Sequence, residues 1–176
     1  MRALSENNDS ASAAAGTALA QLPPDATHGD NVQLQKLWLA TQRRDWRSLA
    51  VLATSPSVDT MELAELLAKL AWWYRGQPSC IFDFRDLSMR LVDYHQRDVK
   101  AQVETGVCVF IALRSTVENP AAIPIARSAD AAVLGIELGK SDMRIAERTI
   151  SEIGRERVLG AIVVHPHGIK RSFNGG

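Results

Sequence analysis

Short apolar segments of strand length recur five times along the chain and constrain its fold more than any other feature. They are residues 48–54, 80–84, 107–113, 131–138 and 158–164. Such near-continuous apolar runs are typical of strands buried on both faces, as in a parallel sheet. Segments of helical periodicity lie before and between them: residues 31–43, 60–75, 86–103, 121–127 and 141–153. This alternation predicts a three-layer α/β domain with a mostly parallel sheet of about five strands.

Composition excludes several classes of protein. Among 176 residues, Lys plus Arg total 20 and Asp plus Glu total 20, so the net charge is zero. A strongly basic domain is usual for non-specific nucleic-acid binding, and we expect no nucleic-acid partner. No apolar run approaches the roughly 20 residues that span a bilayer. The first residues turn polar at once, and two cysteines cannot build a disulfide framework. We therefore expect a cytoplasmic globular domain.

The predicted domain occupies residues 31–166. Residues 1–30 contain little apolar surface, and we expect a disordered tail in which residues 10–22 are compatible with a short helix. Residues 167–176 are expected to form a flexible tail. Asp59 is predicted to cap the helix over 60–75, with Glu62 in a capping-box position, although Ser57 is an alternative cap; Gly76 is its expected terminator.

Function is expected where parallel strands end, because ligands of such sheets bind beyond the carboxyl ends. This places the search at residues 54–60, 83–86, 113–120, 137–142 and 165–170.

These segments resemble, in order, the MinD/ParA-type P-loop ATPases. The likeness rests on Ser-Leu-Ala-Val-Leu-Ala-Thr-Ser-Pro (48–56), Leu-Ala (67–68) and Ile-Phe-Asp-Phe-Arg (81–85), followed by residues 127–140 and Val-Leu-Gly-Ala-Ile-Val-Val (158–164). The leading helix over 34–43 is also similar. The closest subgroup is the bacterial tyrosine autokinases that control exopolysaccharide chain length. The resemblance covers roughly residues 32–166 and implies a truncated P-loop fold.

The phosphate-binding chemistry of that family is missing from the corresponding positions. A P-loop needs glycines, a lysine and a Mg²⁺-binding hydroxyl, whereas residues 55–62 contain neither glycine nor lysine. In register with the family, Thr60 replaces the lysine and Met61 replaces the hydroxyl residue. The degenerate nucleotide-site positions are Ser55, Asp59, Thr60, Met61, Asp83, Arg85 and Ala112. Asp83 matches the first aspartate of a family motif, and Arg85 stands where that motif has its second aspartate. Ala112 stands where the family has a further aspartate at a strand.

The resemblance therefore implies a pseudo-ATPase or pseudokinase rather than an enzyme, with no cofactor and no metal. It implies a cytoplasmic scaffold or regulator of bacterial polysaccharide synthesis and export (exopolysaccharide, capsule or cellulose), peripheral at the inner membrane. Its expected partner is a membrane co-polymerase or synthase subunit, with a homodimer or a heterodimer with a related ATPase as a further expectation. The alternative is an active nucleotide-dependent switch, or a positioning factor for another membrane-associated system.

Two aromatic and basic clusters are candidate partner-binding surfaces, because Trp, Tyr and Arg are enriched at interface hot spots. They are Trp72, Trp73, Tyr74 and Arg75 in one helix, and Arg43, Arg44, Trp46 and Arg47 in one connection. The alternative interpretation of the first cluster is a helix packed on the sheet, and that of the second is a solvated loop. His165 and His167 are a weak metal-ligand pair because no Cys or carboxylate cluster accompanies them.

Overall fold

The fold is an open parallel sheet with helices on both faces. The computed structural model describes residues 17–19 and 32–164. In chain order the elements are β1 (Thr17–Leu19), α1 (Val32–Thr41), β2 (Ser48–Ala53), α2 (Thr60–Arg75), β3 (Ser79–Asp83), α3 (Val92–Glu104), β4 (Cys108–Leu113), α4 (Ala122–Ser128), β5 (Ala131–Glu137), α5 (Met143–Ile153) and β6 (Val158–Val164). Short 3₁₀ turns, Met89–Leu91 and Arg155–Arg157, precede α3 and β6.

The strand order across the sheet is β1-β3-β4-β2-β5-β6. The five strands from β2 to β6 run parallel, and β1 pairs antiparallel with the outer edge of β3. The three-layer α/β fold predicted from the apolar runs is confirmed. Strand β2 lies at the centre of the sheet, between β4 and β5. Its carboxyl end is therefore in the middle of the row of carboxyl ends formed by the parallel strands.

Each face of the sheet carries its own apolar core. On one face Leu34 and Trp38 of α1 and Leu67 of α2 pack over β2, β4 and β5. On the other face Ile125 of α4 and Ile153 of α5 belong to the second core, together with part of α3. Every residue of β2 and β4 is buried, which explains why these runs lack polar alternation.

At the amino end of the sheet, Asp130 joins the start of β5 to the start of β2. Its Oδ2 accepts hydrogen bonds from the backbone N–H groups of Arg47 and Ser48 and from the Ser48 hydroxyl, each at 2.9 Å. Burial acts to raise the pKa of Asp130, but these donors outweigh it, so the pKa lies below its ordinary value.

Local sequence signals set several boundaries. Helix α2 begins and ends as predicted because Asp59 caps its first turn and Gly76, at φ 62°, ends it in a left-handed conformation. The helix expected over 86–103 begins only at Val92, because Ser88 starts a separate 3₁₀ turn.

The structure describes little of the two predicted tails. Thr17–Leu19 form strand β1, within the segment 1–30 that was expected to be a mostly disordered tail. The remainder of the 1–30 tail, the 167–176 tail and the His165 and His167 pair lie outside the described residues. In the part of the chain that the structure describes, no helix is long and apolar enough to cross a bilayer.

Candidate functional site

The natural ligand crevice of this sheet lies between the carboxyl ends of β2 and β5. The connection from β2 leads toward β3, on one side, and the connection from β5 leads toward β6, on the other. Neighbouring strands whose connections diverge define the switch point at which doubly wound sheets bind ligands. The sequence positions expected to carry function, 54–60 and 137–142, meet here.

The chain's own hydrogen bonds cross this crevice. The Thr54 hydroxyl is 2.8 Å from the Gly135 carbonyl oxygen and 2.8 Å from the Ser141 hydroxyl. Ser141 in turn accepts from the backbone N–H of Glu137, again at 2.8 Å. These contacts tie the β2–α2 loop to the β5–α5 loop.

A second set of contacts centres on the Glu137 carboxylate, whose residue is only 5% exposed. Ser57 donates a hydrogen bond to Glu137 Oε2, and Lys140 Nζ is 2.9 Å from Oε1. The Ser57 hydroxyl and the Lys140 ammonium together lower the pKa of Glu137. Ser57 also lies 3.0 Å, oxygen to oxygen, from Ser55. Both Glu137 oxygens are therefore already occupied by groups of this chain.

Gly135 lets the loop approach β5 closely. A Cβ atom at this position would lie 2.6 Å from Val58 Cγ1 and 2.8 Å from Leu63 Cδ1. Side chains other than hydrogen would therefore push the loop and the first turn of α2 away from the sheet.

The N-terminus of α2 is capped by the chain itself. Asp59 Oδ1 accepts from the backbone N–H groups of Met61 at 2.9 Å and Glu62 at 3.2 Å. In a P-loop, N–H groups at this point of the fold are the donors that a phosphate accepts. The predicted cap is confirmed, and its carboxylate occupies donors that an anionic ligand would need.

Arg85 lies beside this cap. Its Nε is 2.8 Å from Asp83 Oδ1, its Nη2 is 2.7 Å from Asp83 Oδ2, and its Nη1 is 3.3 Å from Asp59 Oδ1. The hydrogen bond from Arg85 is the main cause that lowers the pKa of Asp83, against the opposing effect of partial burial. One guanidinium thus neutralises carboxylates from two elements.

A small cleft opens next to these groups, with a volume of about 170 Å³. Ligand pockets typically measure roughly 300–1,000 Å³, so the cleft is small for a nucleotide. Its lining residues are Ala53, Ser55, Pro56, Ser57, Val58, Asp59, Thr60, Arg85, Arg114 and Glu118. Arg114 also contacts Asp86, with Nη2 3.0 Å from Oδ1.

The structure separates the predicted site residues into two groups. Ser55, Asp59, Thr60 and Arg85 line the cleft, and Asp83 joins them through Arg85. Met61 is half-buried against the core, and Ala112 is fully buried in β4, paired with Asp83 of β3.

The cleft carries both signs of charge, because Arg85 and Arg114 line it together with Asp59 and Glu118. Sequence reasoning missed Arg114, Glu118 and the Ser57–Glu137 contact. Their only local signal was a position at, or a few residues beyond, the end of a predicted strand. Which of them meet depends on the strand order.

One of the eight candidate partner-binding residues, Trp46, is internal. Trp46 is 3% exposed, donates its indole N–H to the Thr41 carbonyl oxygen at 2.8 Å, and packs edge-on against Phe110. It is a core residue, so its assignment to a contact surface is wrong. Arg75 stacks over the rings of Trp38 and Trp46, with Cζ 5.5 and 5.3 Å from their centroids.

The other members of the two clusters lie nearer the surface. Trp72, Trp73 and Tyr74 are half-buried, and the last two pack on the core. Arg43, Arg44 and Arg47 are exposed, although Arg44 and Arg47 donate to backbone carbonyl oxygens. An exposed basic surface therefore remains at the α1–β2 connection.

No group of three or more His, Cys, Asp or Glu side chains suited to a metal ion occurs within residues 17–19 and 32–164. The two cysteines, Cys80 and Cys108, are both buried, and burial raises the pKa of each thiol. Neither observation provides a catalytic centre.

Comparison with known proteins assigns no family. No protein-family model matches the chain, and no curated protein is significantly similar to it.

Proposed function

We propose that this domain is a non-catalytic relative of the MinD/ParA-type ATPases that acts through binding rather than through phosphoryl transfer. The observation that carries the proposal is the self-capped N-terminus of α2, where Asp59 accepts from Met61 and Glu62. A phosphate at this place would have to displace a carboxylate that is also paired with Arg85. Phosphoryl transfer depends on positioning the phosphates and neutralising their charge, and this arrangement opposes both.

The hydrogen bonds across the switch point support the same conclusion. Ser57 and Glu137 satisfy one another, and Thr54 and Ser141 do the same on the neighbouring side. Opening a ligand crevice there would cost these bonds as well as the packing of Val58 over Gly135. The domain thus has a polar centre that is already complete without a ligand.

For the cellular role, the resemblance to autokinases of exopolysaccharide export supports a scaffold or regulator of bacterial polysaccharide synthesis and export. We propose a cytoplasmic location, next to the inner membrane, with a membrane co-polymerase or synthase subunit as the partner. The exposed Arg43, Arg44 and Arg47 surface suits an acidic segment of such a partner.

Titration calorimetry with Mg-ATP tests the loss of nucleotide binding. We expect no heat of binding at millimolar nucleotide for the wild-type chain. A micromolar Kd that is abolished by Asp83→Ala would overturn the proposal and favour an active nucleotide switch.

Affinity purification from membranes of the source bacterium tests the partner. We expect a polysaccharide co-polymerase or synthase subunit to co-purify, and the variant with Arg43, Arg44 and Arg47 changed to Ser to recover less of it. If no such subunit is recovered, or if deleting the gene leaves extracellular polysaccharide unchanged, the polysaccharide assignment fails.

A further inference from the structure

Strand β6 forms one outer edge of the sheet. It is the last strand in the order β1-β3-β4-β2-β5-β6, and within residues 17–19 and 32–164 it pairs only with β5. The backbone N–H and C=O groups of β6 that point away from β5 therefore have no strand partner in the described part of the chain. A row of such groups is a template for a further strand.

The two edges of the sheet are treated differently by the sequence. At the opposite edge, β1 covers β3. Open edge strands usually carry charged residues or proline, which discourage pairing with another chain. Strand β6 carries neither, because its seven residues read Val-Leu-Gly-Ala-Ile-Val-Val. The sequence of β6 therefore favours the addition of a strand instead of preventing it.

The edge is also sterically open. Gly160 and Ala161 are exposed, and Val163 is 51% exposed. Among the described residues, no atom lies within 4 Å of the place that a Cβ atom at Gly160 would take. From Gly160 to Val164 the strand pairs residue by residue with β5, and its one irregularity lies before Gly160. An incoming strand would therefore meet a regular, extended backbone with space beside it.

A second copy of β6 fits this edge. In a dimer with two-fold symmetry the same strand lies on both sides of the axis, and the two strands run antiparallel. Because β6 has no charged side chain, this pairing places no like charges opposite one another. Like charges on facing edge strands are the usual means by which an edge rejects its own copy. The small residues Gly160 and Ala161 leave room for the side chains of the facing strand.

We propose that β6 pairs antiparallel with β6 of a second copy, so that the chain is a homodimer with one sheet continuous across both copies. Because β1 covers the other edge, edge pairing closes at two copies and does not continue into a fibre. Dimerisation through β6 buries the exposed Val163 side chain and uses no residue of the cleft beside Arg85. The inference goes beyond the proposed function, since it requires neither a nucleotide nor a membrane partner.

Sedimentation equilibrium of the full chain measures this association. We expect the wild-type chain to dimerise with a Kd of about 1 µM or lower. Ala161→Lys places one lysine of each copy near the two-fold axis, and we expect it to raise the Kd at least about tenfold because like charges on facing strands repel one another. Val163→Lys is a second variant of the same edge, with the same expected result, and covers the case in which Ala161→Lys does not fold.

Met89→Lys is the matched control. Met89 is 57% exposed, close to the 51% of Val163, but it lies in the 3₁₀ turn before α3. We expect the Kd of this variant to equal that of the wild type. A wild-type chain that stays monomeric at about 100 µM would overturn the proposal. A folded edge variant that dimerises as well as Met89→Lys would overturn it too, and assemblies larger than a dimer would contradict closure by β1.

Hydrogen exchange distinguishes a second copy from any other occupant of the edge. In the wild-type chain, the amides of residues 160–164 that face away from β5 should exchange more slowly as the protein concentration rises through the Kd. In Ala161→Lys they should exchange rapidly. Slow exchange at every concentration and in the monomeric variant would mean that another segment of the same chain covers the edge, which would overturn the proposal. Failure of the proposed function would instead appear as Mg-ATP binding, whatever the state of β6.

Discussion

Replacing Asp130 by Asn should weaken the fold at neutral pH by about 1–2 kcal/mol. In the folded chain one Asp130 oxygen accepts from three donors, the N–H groups of Arg47 and Ser48 and the Ser48 hydroxyl. Hydrogen bonds to a charged group contribute about 1.5–3 kcal/mol each and neutral ones about 0.5–1.5 kcal/mol. Asparagine keeps an acceptor oxygen and loses the charge. The losses at the three hydrogen bonds would sum to more than this. Because Asp130 is only half-buried, solvent screening reduces the expected loss of stability to about 1–2 kcal/mol.

The stability lost in Asp130→Asn should depend on pH, and the direction of that dependence follows from the pKa of Asp130. The folded-state pKa of Asp130 is lower than the unfolded one. Its charge therefore stabilises the fold fully above the unfolded pKa, near about 4, and this contribution is lost as the pH falls through the folded pKa. The difference between wild type and Asp130→Asn should be largest at neutral pH and should shrink below about pH 4.

Urea denaturation followed by tryptophan fluorescence, at a series of pH values, measures the loss of stability and its dependence on pH. The matched control is Asp45→Asn, since Asp45 is exposed in the preceding connection and has no hydrogen bond to any residue within 17–19 or 32–164. We expect the control to stay within about 0.5 kcal/mol of wild type. A difference for Asp130→Asn that does not vary with pH would refute the assignment of the effect to the carboxylate charge.

Three further substitutions and one chemical treatment probe the core and the loop. Gly135→Ala should destabilise the fold by about 1–3 kcal/mol through overpacking and should speed hydrogen exchange in residues 54–59; unchanged exchange would contradict the close approach described above. Trp46→Ala should cost about 3–5 kcal/mol in chemical denaturation, whereas a surface role would predict almost no loss. Arg75→Ala should cost about 1 kcal/mol through lost stacking on tryptophan and should shift the fluorescence maximum. Cys80 and Cys108 should react with a thiol reagent only after denaturation, because burial raises their pKa; rapid reaction of the folded chain would contradict their burial.

Sequence reasoning was most successful where one local signal decides an element. Residues 60–75 and 158–164 were predicted with the bounds that the structure has. For the helix, Asp59 and Gly76 supply the start and stop chemistry. Such signals need no knowledge of the rest of the fold.

The contacts of the candidate site were beyond local reasoning. Ser57 and Glu137 are eighty residues apart, and they meet only because β2 and β5 are neighbours in the sheet. Their regions were identified from the strand ends, but the pairs depend on the strand order. In the same way, Trp46 followed a charged segment, and only its packing on Phe110 makes it a core residue.

Strand β1 has a consequence for how the chain is handled in the laboratory. Residues 17–19 cover the outer edge of β3, through the pairs Thr17 with Ile81, Ala18 with Cys80 and Leu19 with Ser79. Without them the backbone groups of β3 would face solvent along a largely apolar strand, and exposed edges of this kind template association with other chains. Trimming the chain to its predicted domain, from residue 31 onward, would therefore produce a protein that self-associates along β3, although every helix and parallel strand described within residues 32–164 would remain.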